Sequence, residues 1–114
     1  MVEEGVVSLH YADSYYERCT RDELTEHGVP SSAIDEAFIA QDWKKLRTTR
    51  WLILRETDWT QVNDCPLDED MKEKWREYRA KLRRLPQDND TPERISWPEP
   101  PEESEIITSI LNQY

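Results

Sequence analysis

The chain has 114 residues and a net charge of −10, with 36% apolar and 35% charged residues. This length allows one small domain with a thin core, to which five Trp and five Tyr contribute large buried areas. The longest uninterrupted apolar runs, such as residues 51–54, are far too short to cross a membrane. An acidic chain is also poorly suited to nucleic acid, whose phosphates require a positive surface.

The charge is segregated along the chain. Residues 1–40 carry nine acidic and two basic side chains, and residues 85–114 carry seven and one. Residues 71–84 carry two acidic and seven basic side chains. Four of the bases form a stripe at helical spacing: Lys72, Arg76, Arg79 and Arg83. This pattern predicts a solvated helix face, or a surface that meets acidic segments of this chain or of a partner.

No catalytic, metal or cofactor site is predicted. Cys19, Cys65, His10 and His27 are scattered, without a Cys-x-x-Cys or His-x-x-x-His pair, which is typical of free thiols and ordinary histidines. The chain has no Gly-rich phosphate loop and no nucleophile with a nearby His in sequence. The acidic start at residues 1–4 lacks the basic and apolar regions of a signal peptide, so we expect synthesis in the cytosol.

The N-terminal segment contains a weak strand signal. Apolar residues alternate with polar ones at positions 7, 9 and 11. No second strand of comparable quality follows. We therefore expect either addition to the sheet edge of another chain or, as the favoured interpretation, an ordered arm.

A short helical turn and then a long helix follow. Thr20 and Glu23 fit a capping box that opens the turn, and Gly28 and Pro30 close it. A long amphipathic helix is predicted to begin near Ser32. Apolar residues recur along it at helical spacing: Ile34, Phe38, Ile39, Trp43 and Leu46. The helix either runs unbroken to about Thr57 or breaks near residues 41–42. Its end is apolar on every side, which predicts coverage on a second face by the N-terminal segment or by a second chain.

A compact turn and a second helix come next. Residues 58–61 are predicted to form the turn, with Trp59 as the anchor that holds it against the two helices. Asp68 is the predicted N-cap of the second helix, and Pro86 its predicted end. Its apolar residues form one stripe at spacings of three and four: Leu67, Met71, Trp75, Tyr78, Leu82 and Leu85. The short connection predicts an antiparallel helical hairpin.

The C-terminal segment combines an acidic spacer with a short helix. Trp97 is predicted to fold back onto the hairpin, and the proline- and glutamate-rich residues 98–103 form a stiff spacer. Four apolar residues then close the chain as a one- to two-turn helix: Ile106, Ile107, Ile110 and Leu111. A helix this short is unstable alone, so we interpret it as a docking peptide for a groove.

The predicted fold is therefore mainly α, a small helical hairpin with extended N- and C-terminal arms. We expect an N-terminal arm with a short helical turn at residues 1–30 and a helical module at 31–98. Residues 99–114 form an acidic, proline-rich tail that ends in the short amphipathic helix.

The central segment carries a composite motif. In chain order it reads TDWTQ at 57–61, PL at 66–67, WxxYRxxLRxLP at 75–86 and WP at 97–98. This order resembles the tail assembly chaperone domain of tailed bacteriophages, which is related to tail-fibre assembly proteins. The resemblance covers residues 41–98 approximately. It implies a non-enzymatic role in phage tail morphogenesis, helping tail-fibre or baseplate subunits to fold, trimerise or attach.

Two functions fit this reading. The protein is either a transient assembly chaperone in the host cytoplasm or a structural adaptor retained in the virion tail, baseplate or fibre junction. The expected partners are phage tail-fibre or baseplate proteins, with a homo-oligomer as a further option, and neither nucleic acid nor membrane. The candidate partner-binding residues are Trp59, Trp75, Tyr78, Trp97, Ile106, Ile107, Ile110 and Leu111. A purely structural role in the core fits Trp59 and Trp75 equally well.

Overall fold

The computed structural model describes residues 5–114, apart from the side chain of Arg94. The acidic start at residues 1–4, on which the expectation of cytosolic synthesis depends, lies outside the described residues. The elements in chain order are β1 (Val7–Tyr11), β2 (Ser14–Cys19), α1 (Arg21–Glu26), α2 (Ser31–Glu56), α3 (Glu69–Asp88) and α4 (Glu105–Asn112), with 3-10 turns at Asp58–Gln61 and Pro92–Arg94. The described chain is thus mainly α, as predicted, with a small sheet added.

The N-terminal strand has a partner within the chain. β1 pairs with β2 in an antiparallel sheet, from Val7 opposite Cys19 to Tyr11 opposite Ser14. The prediction that no second strand follows β1 is therefore wrong, and β1 does not depend on the sheet of another chain for a partner.

A β-bulge explains why the alternation of β2 is hidden in the sequence. Between the Val7–Cys19 and Leu9–Tyr16 pairs, β2 has one residue more than β1. Arg18 lies in this bulge with a φ of +53°, in the left-handed region. A bulge leaves one residue unpaired and shifts the following side chains to the opposite face, so a strict period of two is lost.

The chain divides into two compact units, an N-terminal unit that ends at Trp43 and a C-terminal unit, Lys44–Tyr114. The N-terminal unit closes around an apolar cluster: Val7, Leu24, Val29, Ile34 and Phe38. The segment boundaries drawn from the sequence after residues 30 and 98 stay predictions.

The predicted capping box of α1 is confirmed. The hydroxyl of Thr20 accepts the backbone N–H of Glu23 over 3.2 Å, and the backbone N–H of Thr20 donates to the Glu23 carboxylate over 3.1 Å. The bond from the Thr20 backbone lowers the pKa of Glu23 below its usual value. Gly28, with a φ of +88°, takes the left-handed conformation that ends this segment.

α2 runs unbroken from Ser31 to Glu56, which decides between the two alternatives left open by the sequence. It begins directly after Pro30, whose carbonyl accepts the backbone N–H groups of Ala33 and Ile34 at 3.1 and 3.2 Å. The predicted start near Ser32 is close, and Ser32 lies inside the first turn.

α3 begins as predicted and ends later than predicted. The Asp68 carboxylate accepts the backbone N–H of Met71 over 2.8 Å, so Asp68 is the N-cap. The prediction that Pro86 ends the helix is wrong, because α3 continues to Asp88. Proline in the last turn removes only one helical hydrogen bond, and the Asn89 side chain donates to the Leu85 carbonyl over 2.9 Å at the helix end.

Two side-chain hydrogen bonds join α3 to the C-terminal half of α2 in antiparallel order. The Arg50 guanidinium donates to the Arg83 carbonyl over 3.1 Å, and further along α2 the Leu54 carbonyl accepts from Arg79, which is earlier on α3. The predicted apolar stripe of α3 faces the core of this unit. Its buried members are Trp75, Tyr78, Leu82 and Leu85, with Leu67 and Met71 partly buried beside them.

The C-terminal helix predicted from the sequence is present as α4. The Ser104 hydroxyl accepts the backbone N–H of Ile107 over 3.2 Å and so caps the helix. Ile107 is buried in the same cluster as Trp75, and Ile110 and Leu111 pack against that cluster. α4 therefore covers the core of its own chain.

Candidate protein-binding site

Arg79 holds the junction between α2 and α3. One terminal guanidinium nitrogen donates to the Leu54 carbonyl at 2.6 Å and to the Thr57 hydroxyl at 2.7 Å, and the second terminal nitrogen donates to the Asp58 carboxylate at 2.7 Å. The Arg79 side chain is only 8% exposed, whereas that of Asp58 is 66% exposed. Arg79 therefore lies in the protein interior. It is not part of the solvated face that was predicted for the basic stripe of α3.

The threonines of the TDWTQ motif build the turn after α2. The Thr57 hydroxyl donates to the Ile53 carbonyl over 2.8 Å, and the fully buried Thr60 hydroxyl donates to the Thr57 carbonyl over 2.6 Å. Trp59 lies on the outside of this turn and is 47% exposed. The prediction that Trp59 anchors the turn is wrong, because the two small hydroxyl side chains satisfy the backbone and fill the interior instead.

Three of the candidate binding residues lie deep in the core of the C-terminal unit. Trp75, Tyr78 and Ile107 are 4%, 3% and 2% exposed. The Trp75 and Tyr78 rings meet edge to face with centroids 5.6 Å apart, and the Trp75 indole N–H donates to the Glu102 carboxylate over 3.4 Å. These three side chains are therefore buried core residues of the unit.

Ionisation of Tyr78 should make the stability of the C-terminal unit depend on pH in the alkaline range. Burial raises the pKa of Tyr78 to about 12 from its ordinary value of 10.0, and its hydroxyl has no hydrogen-bond partner among residues 5–114. Because the unfolded state ionises first, stability should be unaffected below pH 10 and should fall as the pH rises towards 12.

We expect Tyr78→Phe to leave the fold intact at neutral pH with equal or slightly higher stability, because a buried hydroxyl without a partner is costly. The variant should also lose less stability than the wild type between pH 10 and 12. Urea unfolding followed by circular dichroism at pH 7 and above pH 10 measures both effects. Identical pH profiles for the two proteins would contradict the assignment.

Three further candidates are half-buried around α4. Trp97 meets the C-terminal Tyr114 ring edge to face, with centroids 5.2 Å apart. Ile110 and Leu111 pack beside it against the apolar cluster of the C-terminal unit. Trp97 is thus on the core of this unit, where the sequence predicted that it folds back.

The two remaining candidates, Trp59 and Ile106, are exposed, and Ile106 borders a groove. This apolar groove lies between the end of α2 and α4, with a volume of about 290 Å³. Its lining residues are Leu52, Arg55, Glu56, Glu105, Ile106, Ser109 and Ile110. Beside it, Trp51 is 55% exposed and its ring lies 4.8 Å from the Arg55 guanidinium.

Sequence reasoning did not select Trp51, Leu52 or Arg55 as binding residues. A signal for them was present, because residues 51–54 are apolar on every side of the helix and a core that packs on one side leaves the others uncovered. In the structure Ile53 is buried in the core, Leu52 lines the groove and Trp51 faces solvent. Exposed Trp and Arg are the residue types that dominate binding energy in protein interfaces.

The part of the chain that the structure describes contains no group of three His, Cys, Asp or Glu side chains arranged for a metal ion. Over the same residues, no helix combines the length and the apolar character of a membrane span. What the C-terminal unit presents is apolar and aromatic surface, of the kind that binds other proteins.

The comparison with known families is consistent with a protein of this binding class. Residues 43–102 match the family described as phage tail assembly chaperone protein. The match spans more than half of the chain, and the chain belongs to this family. The resemblance identified from the TDWTQ and WxxYRxxLRxLP motifs is thereby confirmed. The chain has no significant match to a curated protein or to a solved structure.

Proposed function

We propose that this protein is a non-enzymatic chaperone of phage tail assembly that binds tail-fibre or baseplate subunits in the host cytoplasm. The observation that carries the proposal is the exposed apolar surface of the C-terminal unit, in a chain of the tail assembly chaperone family. Trp59 and Ile106 are 47% and 53% exposed in a chain of net charge −10. The proposed occupant of the apolar groove is an apolar segment of a tail subunit that has not yet assembled.

The position of α4 supports a transient role. This helix has eight residues, is too short to be stable alone, and is held mainly by Ile107 and its neighbours. Displacing it would uncover the aromatic core formed by Trp75 and Tyr78. We propose that α4 and the acidic spacer cover this surface until a tail subunit binds, so that deletion of residues 99–114 alters the affinity for that subunit.

Binding is tested by co-expressing the tagged protein with the tail-fibre protein of the same phage. Trp59→Ala combined with Ile106→Ala should lower fibre recovery about tenfold or more, because each exposed apolar side chain contributes on the order of 1 kcal/mol or more at a binding centre. Lys81→Ala, which removes an exposed side chain from α3, is the control and should bind like the wild type. Equal recovery of the fibre protein with the wild type, the double variant and the control would refute the proposed surface.

The competing function, a structural adaptor retained in the particle, predicts a different location. Mass spectrometry of purified, salt-washed particles should lack peptides of this chain, such as residues 56–72, while the lysate of infected cells contains them. Stoichiometric recovery from particles would instead identify a virion subunit and would overturn the chaperone proposal.

A further inference from the structure

The open face of α2 in the C-terminal unit carries a basic and aromatic stripe. Its members are Lys44, Arg47, Trp51 and Arg55, and all four are exposed. Their spacings of three, four and four residues place them on one side of the helix. With Trp51 stacked near the Arg55 guanidinium, the stripe combines a flat apolar ring with positive charge at both ends.

The positive charge of this stripe is largely uncompensated within the chain. Arg55 contacts Glu56 at 3.4 Å, and no ion pair of Lys44 or Arg47 is formed with the described residues. No acidic residue occupies a position of the stripe, although the chain as a whole has a net charge of −10. A stripe of this kind favours an acidic occupant that also offers an apolar surface to the indole ring.

The same unit contains a segment with the complementary chemistry. Residues 98–103 read Pro-Glu-Pro-Pro-Glu-Glu, and the three glutamates are exposed. Proline-rich segments are recognised by aromatic side chains, on which the proline rings pack. Glu102 already contacts Trp75 within its own chain, which leaves Glu99 and Glu103 for an external contact.

The dimensions of the two features agree. Arg47 and Arg55 are separated by eight residues of helix, which is about 12 Å along the axis. Glu99 and Glu103 are separated by four residues of a proline-rich segment, which reach up to about 12 Å when extended. An acid at each end of the segment can therefore lie against an arginine at each end of the stripe, with the prolines over Trp51.

We propose that the stripe of one copy of this protein binds residues 98–103 of a second copy. Each copy carries both partners, so the contact can be made twice in a symmetric dimer. The interaction is electrostatic in part, so dimerisation should weaken as added salt screens the charges. Arg55 belongs both to this stripe and to the apolar groove, but the test of self-association requires no phage component and is therefore independent of the test of tail-subunit binding.

Sedimentation equilibrium of the purified full-length chain tests the proposal with two charge-reversal variants. The wild type should form a dimer whose dissociation constant rises with salt. Arg47→Glu with Arg55→Glu, and separately Glu99→Lys with Glu103→Lys, should each weaken self-association at least tenfold. An equimolar mixture of the two variants should form a heterodimer, because each then offers the charge that the other lacks.

The matched control is Lys74→Glu with Lys81→Glu, which makes the same change of charge on exposed positions of α3. This control should dimerise like the wild type, and circular dichroism should show the same helix content for every variant. A wild type that stays monomeric at low salt overturns the proposal, and so does a mixture that stays monomeric. Loss of the dimer in the control would attribute the effect to net charge and would also overturn it.

Discussion

Replacing Arg79 with Ala should destabilise the C-terminal unit by about 3 kcal/mol. The substitution removes every hydrogen bond that the guanidinium makes to Leu54, Thr57 and Asp58. Of these acceptors, the Leu54 carbonyl and the Thr57 hydroxyl lie in or beside the interior, where loss of a charged donor costs about 1.5–3 kcal/mol. Asp58 is solvated, so its part in the loss should be small.

Urea unfolding followed by Trp fluorescence measures this effect. Arg76→Ala is the control, because Arg76 lies one turn earlier on α3 and, among the residues that the structure describes, pairs only with the exposed Glu73 on the same helix. This control should remain within about 0.5 kcal/mol of the wild type. If Arg79→Ala were no more destabilising than the control, the junction would not depend on the buried guanidinium.

The same substitution at the two adjacent isoleucines of α4 should change the stability of the unit by very different amounts. Ile107 is 2% exposed and Ile106 is 53% exposed. Ile107→Ala should destabilise the docked helix by about 2–4 kcal/mol, because it removes buried methyl groups and leaves a cavity. Ile106→Ala should change stability by less than about 0.5 kcal/mol.

Hydrogen exchange of the α4 amides distinguishes the two variants. In Ile107→Ala the amides of residues 107–112 should lose protection, while the amides of α3 keep most of theirs. In Ile106→Ala protection should match the wild type, and the loss should be in tail-subunit binding. Equal loss of protection in both variants would mean that α4 is not docked through Ile107.

The sequence was most informative where a local pattern and the tertiary structure agree. Asp68 caps α3, the stripe from Trp75 to Leu85 is buried, and the capping box at Thr20 opens α1. Each of these depends on a short-range rule that packing does not override. The family was also recognised from residues 57–98, which lie within the matched segment.

The predictions from the sequence are wrong where tertiary packing, rather than local sequence, determines the position of a side chain or the end of an element. Trp59 is a large aromatic residue in a motif, and its side chain points to solvent because Thr60 takes the interior position. Pro86 is tolerated in the last turn of α3. Arg18 adds one residue to β2, and this bulge breaks the alternation by which the strand would have been recognised in the sequence. No pattern in the chain distinguishes Ile106 from Ile107, since only the docked position of α4 makes one exposed and the other buried.

The bonds of Arg79 also fix how far α3 lies along α2. All of the acceptors belong to a five-residue segment, 54–58, and one planar guanidinium must reach them together. A slip of α3 by one helical turn, about 5.4 Å, would keep an apolar stripe against an apolar face but would separate the guanidinium from all of its acceptors. A charged group left buried in this way strongly disfavours the shifted packing. Arg79 therefore selects one alignment of two apolar helix faces among several that would bury a similar apolar area, and it thereby places α3 beside the turn that carries Trp59.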